Sequence, residues 1–413
     1  MLYGARSDTP PTAPAPPADP GQGRVALVIT LAIQMLAAWT SLTGPVLAPL
    51  AAGDIGVGPY LVGVYVAVTY AFGASSALVS GGFIARFGPL RVSQLCLVLC
   101  GAGLAVAALG TPLAALAAAA ILGTGYGPIT PASSHILART TRPARINLVF
   151  SVKQTGVPLG NALAGALAPG LAAFLGWRGA ALATAALCLV VAASAEALRA
   201  SLDIDLDHRR RLLSFAHVSG PFRLVFRSPE LRRLALVSFA FAGMQTSLGT
   251  FLVTYLNERL GMSVVLAGMA LAFAQGAGVA GRILWGFVAD RLVPPMLLLG
   301  MLGVVMSASA VLVALFTTDW PFVAILAVCT VYGGTAVAWN GVHLAQTARF
   351  SPPGRAGEVT GGASFVTFAG VMVVPALFSA ILGSFGSYMA GYCAVATLSL
   401  TGGVALLLRR NGG

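Results

Sequence analysis

The sequence predicts an all-α membrane protein of twelve transmembrane helices in two pseudo-symmetric six-helix bundles, and three observations carry that prediction. Only 9% of the 413 residues are charged while 57% are hydrophobic, and the mean hydropathy is +0.88. Water-soluble domains carry about 25% charged residues, so no soluble surface can be built from this composition. Apolar runs of membrane-crossing length recur along the whole chain, punctuated by Gly, Pro and Arg. Finally, the second half of the chain repeats the glycine spacing of the first.

A crossing takes roughly 20 apolar residues, so twelve take about 240 and leave about 170 for loops, a linker and a tail. No room remains for an enzyme domain of ordinary size. In chain order, residues 1–22 are rich in Pro and Ala and lack the basic-then-apolar layout of a signal peptide; a disordered cytoplasmic tail is expected. The first bundle, 23–199, holds runs at 24–47, 60–84, 91–110, 113–138, 146–172 and 178–199. A polar, arginine-rich linker follows at 200–232. The second bundle, 233–413, holds runs at 233–256, 263–288, 294–316, 320–346, 357–382 and 387–408.

The net charge of +12 would suggest nucleic acid if the arginines formed a patch, but they are scattered between apolar runs. With the N-terminus inside, 20 of the 24 Lys and Arg residues fall on one side; Arg178 and Arg259 fall outside, and Lys153 and Arg282 lie within runs. The positive-inside rule therefore predicts cytoplasmic N- and C-termini. The five cysteines all lie in apolar runs without CxxC spacing, so neither a disulfide nor a metal site is expected. No cofactor is expected either.

The internal repeat is specific. At an offset of 205, Gly63 matches Gly268, Gly73 matches Gly278, Gly81 matches Gly286 and Arg86 matches Arg291. At an offset of 208, Gly125 matches Gly333 and His135 matches His343. Parallel repeats of this kind place a central cavity between two bundles.

The segment Gly286-Phe287-Val288-Ala289-Asp290-Arg291 resembles the GxxxDRxG loop motif of the major facilitator superfamily. The first-half copy runs from Gly81 to Gly88 and keeps Arg86, with Ala85 where that family usually has Asp. The resemblance implies a secondary transporter working by alternating access, with Arg86, Asp290 and Arg291 at its gate; Glu358, near a cytoplasmic helix end, is expected to act there too. Gly156, Pro158, Gly160, Gly165, Pro169 and Gly170 in run 5 resemble the superfamily's antiporter motif, and small residues at these positions serve close helix packing equally well.

Two cations lie deep in the apolar runs. Lys153 is the chain's single lysine, and Arg282 is in run 8. At about 1.5 Å per residue, each sits roughly 9–10 Å from its helix end, in a core about 30 Å thick. A charge at that depth is expensive unless paired or hydrated, which marks it as a functional candidate. None of the twelve acids falls near mid-membrane. The pair therefore reads as an electropositive cavity for an anionic substrate, with Arg282 bidentate and Lys153 a point charge. The competing reading is that Lys153 snorkels and Arg282 caps a helix or pairs with Glu358. Gly281-Arg282 followed by Trp285-Gly286 is similar to the span-8 segment of monocarboxylate and oxalate transporters, where the resemblance implies an arginine facing the substrate carboxylate. Those relatives usually carry a second cation in span 11, where this chain reads Ser364-Phe365-Val366-Thr367.

Further polar residues within runs are candidates for the cavity wall: Gln34, Thr40, Ser41, Tyr70, Gln154, Asn161, Gln245, Gln275, Trp339 and Asn340. Each serves equally well in helix–helix hydrogen bonding. His135 and His343 are titratable and placed to carry coupling protons. The leading expectation is a monomeric transporter, not an enzyme, for a small anionic molecule such as a mono- or dicarboxylate. The alternatives are efflux of hydrophobic drugs and a non-transporting sensor on the same scaffold. The Ala-, Gly- and Arg-rich, Lys-poor usage points to a GC-rich bacterium and its inner membrane.

Overall fold

A computed structural model describes residues 20–56, 62–207, 215–262 and 264–408. Residues 1–19 of the expected tail, Arg209, Arg210 and Arg211 of the linker, and Arg409 and Arg410 lie outside the described residues. The first half contains α1 (Pro20–Ile55), α2 (Val62–Phe87), α3 (Pro89–Ala107), α4 (Pro112–Tyr126), α5 (Ile129–Thr140), α6 (Ile146–Gln154) and α7 (Gly156–Ala195). After α8 (Arg199–Leu202) and α9 (Phe215–Arg227), the second half contains α10 (Pro229–Leu260), α11 (Val264–Arg291), α12 (Pro295–Ala314), α13 (Phe322–Ala336), α14 (Asn340–Arg349), α15 (Ala356–Phe385) and α16 (Tyr388–Leu407).

Among the described residues these helices make twelve crossings. α7 supplies the rest of the fifth crossing, begun by α6, and the sixth, because Gly176 (φ 69°, ψ 166°) turns the chain back within it. Only glycine adopts that backbone region freely. Three predicted runs are continuous in sequence but interrupted in space. Run 4 breaks at Gly127 and Pro128, run 5 at Thr155, and run 10 at Val337 to Trp339. The linker, expected only as a connection, folds in part into α9, which lies against α2, α10 and α15.

Each half has its own apolar core. One is built on α10, α12 and α16 with Phe241, Met306 and Tyr392; the other on α1, α3 and α5 with Ile33, Leu97 and Ile136. Large side chains such as Val28, Phe174 and Val323 remain exposed around the perimeter, as they must where the solvent is lipid. The packing also fixes the repeat register. Gly123 lies against the carbonyl of Thr69, and Gly333 against that of Ala274; Gly127 lies against Gly73, and Gly278 against Val337. These contacts pair Gly123 with Gly333 and make the breaks of runs 4 and 10 equivalent. The sequence pairing of Gly125 with Gly333 and His135 with His343 is thus displaced by two residues.

The bundles meet on the arginine-rich side, where α6 packs on α11 and α14, and α2 and α5 pack on α15. Glycines allow the approach: a side chain at Gly341 or Gly286 would overlap Ser151, and one at Gly361 would overlap the carbonyl of Ala77. Leu344, Ala345 and Ala348 of the second half join the core of the first. α1 and α10 pack on helices of their own halves. The molecule is therefore closed on the arginine-rich side, with its halves parting toward the other.

Candidate functional site

Between the halves lies a cavity of about 550 Å³, lined by residues from both. Arg282 on α11 is only 2% exposed, and its position follows from two helix breaks. A helical carbonyl normally accepts from the N–H four residues on, but four residues after Gln154 comes Pro158, which has no N–H. The freed Gln154 carbonyl accepts from Arg282 Nη1. Arg282 Nε donates to the carbonyl of Val337 at 3.0 Å, in the break of run 10. A guanidinium has five N–H donors, so a donor edge remains for a ligand in the cavity that Arg282 lines. Trp285 Nε1 donates to the Gly334 carbonyl at 2.6 Å, holding α11 to the last turn of α13 before that break.

Of the other residues singled out in the sequence, Gln34, Tyr70, Gln154, Gln245, Trp339, Asn340 and His343 line this cavity. Asn340 Nδ2 donates to Gln245 Oε1 at 3.0 Å. Trp339 Nε1 is buried without a hydrogen-bond partner among the described residues. His343 Nε2–H donates to the Leu234 carbonyl at 3.0 Å. Lys153 is 1% exposed and lies behind the wall, its Nζ donating to Gln34 Oε1 at 2.6 Å and Gln154 Oε1 at 3.0 Å. Asn161 and Gln275 are half-buried outside the lining. Thr40 and Ser41 donate to carbonyls of their own helix, Ala37 and Ala38.

Sequence reasoning passed over Tyr126, Thr130, Thr246, Ser364, Thr367 and Phe368, which also line the cavity. Tyr70, Tyr126 and Phe368 form an aromatic wall, with ring centroids 5.9–6.4 Å apart. The signal for Tyr126 and Thr130 was Gly127-Pro128, which stops α4 and turns its end inward. No carboxylate lines the cavity among the described residues.

The gate residues divide unequally. Asp290 accepts from the backbone N–H of Asn147 at 3.1 Å and Leu148 at 2.9 Å, and from Asn147 Nδ2 at 2.8 Å. It therefore caps α6 across the bundle boundary, where free N–H groups and the helix dipole favour an anion. Gln346 Nε2 completes the joint by donating to Asn147 Oδ1 at 2.9 Å. Arg291 is exposed. In the first half, Ala85 presents only its carbonyl, which accepts from Asp207 N at 2.8 Å, and Arg86 lies 5.8 Å from the Phe87 ring. Glu358 pairs with Arg355, just before α15, at 2.7 Å, not with Arg282.

The segment after α8 straps the ends of α2, α3 and α5 together. Asp203 accepts from Leu90 N at 2.7 Å and Arg91 N at 3.0 Å, capping α3. Burial pushes its carboxyl above the ordinary range, against the pull of those two donors. Asp205 pairs with Arg139 and accepts from His135 Nε2 at 3.3 Å, so His135 belongs to this strap and not to the cavity. Gly88 (φ 94°) leaves the space that Asp203 fills.

A family model, the Major Facilitator Superfamily, matches residues 27–375. The chain belongs to this superfamily. It is a membrane transporter, not an enzyme, and the arrangement above is the major facilitator fold. A stretch of 129 residues is 26% identical to the uncharacterized MFS-type transporter YttB of Bacillus subtilis (strain 168), covering 27% of this chain and 32% of that protein. The match thus spans about a third of that relative's length. Among solved structures, the human organic anion transporter MFSD10 (TETRAN) superposes with a TM-score of 0.76 at 20% identity, covering 94% of this chain and 100% of that one. The E. coli fucose:proton symporter FucP gives 0.74 at 14%, covering 94% and 100%. A bacterial homologue of the iron transporter ferroportin, in an outward-facing state, gives 0.73 at 15%, covering 93% and 100%.

Proposed function

We propose that this transporter moves a small organic anion, a carboxylate, by alternating access across a bacterial inner membrane, as a monomer with both termini in the cytoplasm. One observation carries the reading: Arg282 presents a buried cation to a cavity that has no carboxylate among its described lining residues. An uncompensated charge at that depth is costly, and an anionic substrate removes the cost on binding. The names of the structural neighbours cover an organic anion, a sugar and iron, so fold likeness does not choose among them and the cavity must. Its aromatic wall suits a carboxylate with an apolar body. Placing the arginine-rich, closed side in the cytoplasm follows the positive-inside rule and makes the described state outward-open.

The test is thermal stabilisation of the purified protein by a panel of carboxylates, sugars and cationic drugs. A ligand that binds the folded state raises its melting temperature with the logarithm of concentration over Kd. Carboxylates should stabilise the wild type and lose the effect in Arg282→Ala. Stabilisation by cationic drugs in both proteins would sink the anion reading in favour of hydrophobic efflux.

A further inference from the structure

The two glutamines beside Lys153 are oriented by it. An ammonium group has three N–H donors and no acceptor, so whatever faces it must be an acceptor. It reaches Gln34 at 2.6 Å and Gln154 at 3.0 Å, and both facing atoms are Oε1. Thr130 Oγ1 adds a second donor to Gln34 Oε1 at 3.3 Å. With each oxygen turned to the ammonium, each amide nitrogen points along the other branch of the fork. Both glutamines line the cavity, and Lys153 does not. Neither Nε2 donates to a protein group among the described residues. From this side the cavity wall therefore offers N–H groups: two amide nitrogens and the free edge of Arg282.

Gln154 also joins the two cations. Its side-chain oxygen accepts from Lys153 and its backbone oxygen from Arg282. Without the ammonium, nothing dictates the amide orientation, because the Thr130 hydroxyl both donates and accepts. An amide free to turn presents its oxygen to the cavity as readily as its nitrogen. A carboxylate is repelled by such an oxygen, whereas a primary amide can donate to it.

We infer that Lys153 is a positioning residue that never touches the substrate: it locks the amides of Gln34 and Gln154 so that both only donate to the cavity, and thereby selects carboxylates over their neutral amides. This rests on the organic-anion reading above and assigns the selectivity of that site. A Lys153 that met the anion directly would change carboxylate affinity and leave neutral amides alone. A lock changes both, in opposite directions.

The experiment is isothermal titration of the full-length purified protein with benzoate and benzamide, in wild type, Lys153→Met and Lys153→Arg, with melting curves to confirm folding. Wild type should bind benzoate and not benzamide. Lys153→Met should bind benzoate roughly 10-fold more weakly, the scale of one hydrogen bond lost or reversed, and should gain measurable benzamide binding. Lys153→Arg, which also presents only donors, should keep the wild-type preference. If Lys153→Met fails to fold, Lys153→Gln serves in its place, since its amide supplies donor and acceptor alike and leaves the lock undecided. Weaker benzoate with benzamide still unbound overturns the lock and makes Lys153 a direct contact. Unchanged binding of both compounds overturns it in favour of a purely structural lysine. If wild type binds benzamide as well as benzoate, or binds neither, the anion reading falls and the lock falls with it.

Discussion

Arg282 is held by carbonyls of two other elements, one from each bundle, so its charge and its reach are fixed before any ligand arrives. Preorganised donors of this kind favour a planar, two-oxygen anion, which a lysine at the same position would meet with a single point charge. Arg282→Lys is therefore expected to retain the fold and lose carboxylate binding by about 10- to 100-fold, the range for a charge-assisted hydrogen bond lost. Titration calorimetry of the two proteins side by side checks it. The two buried cations were legible in the sequence because a charge within an apolar run stands out against its neighbours. What they face was not. Gln34 and Lys153 meet only when α1 packs on α6, and no local spacing encodes that contact. Asn161 and Gln275 show the converse, since a polar residue inside a span fits helix packing as well as a cavity.

At the scale of elements, hydrophobic run length found the crossings because a bilayer core demands about 20 apolar residues from any helix that spans it. The interruptions were less legible, since the runs stay apolar through Gly127-Pro128, Thr155 and Val337 to Trp339. Breaks of this kind are where membrane transporters expose backbone to a ligand, and Pro158 was the readable sign for one of them. The close seams depend on missing side chains. Gly341→Val would drive two methyl groups into Ser151, and overpacking costs typically about 1–3 kcal/mol. The variant should fold, open on the arginine-rich side and lose transport, as measured by uptake into proteoliposomes. Gly88→Ala combines a strained φ with a clash against Asp203. It is expected to lower the melting temperature by releasing the strap on α3, and Asp203→Ala in that background should add little further loss because both changes break one contact.

Over the whole molecule, the two-bundle plan was readable from the repeat, although the packing shifted one of its registers by two residues. The proposed topology is tested by fusing a fluorescent protein or alkaline phosphatase to the C-terminus. A cytoplasmic end gives fluorescence and no phosphatase activity; the opposite pattern refutes the orientation. The two seams of the closed side are not equals. Where α6 meets α11, a carboxylate of one bundle ends a helix of the other. Along the α2–α15 seam, the matching position is Ala85, which has no carboxylate to cap α15, and the helices meet closely at Gly81 and Gly361. A door fastened on one edge swings about that edge. The bundles should thus peel from the Ala85 side first, with Asp290 as the last contact to release, so that opening is a sequence and not a symmetric rocking. Spin-label pairs at 87 and 353 and at 145 and 292 would report the two edges. Distances across 87 and 353 should lengthen in a population where 145 and 292 remain close. Asp290→Ala, by removing a cap of about 1 kcal/mol, should abolish that lag, and the machine would then lose its hinge.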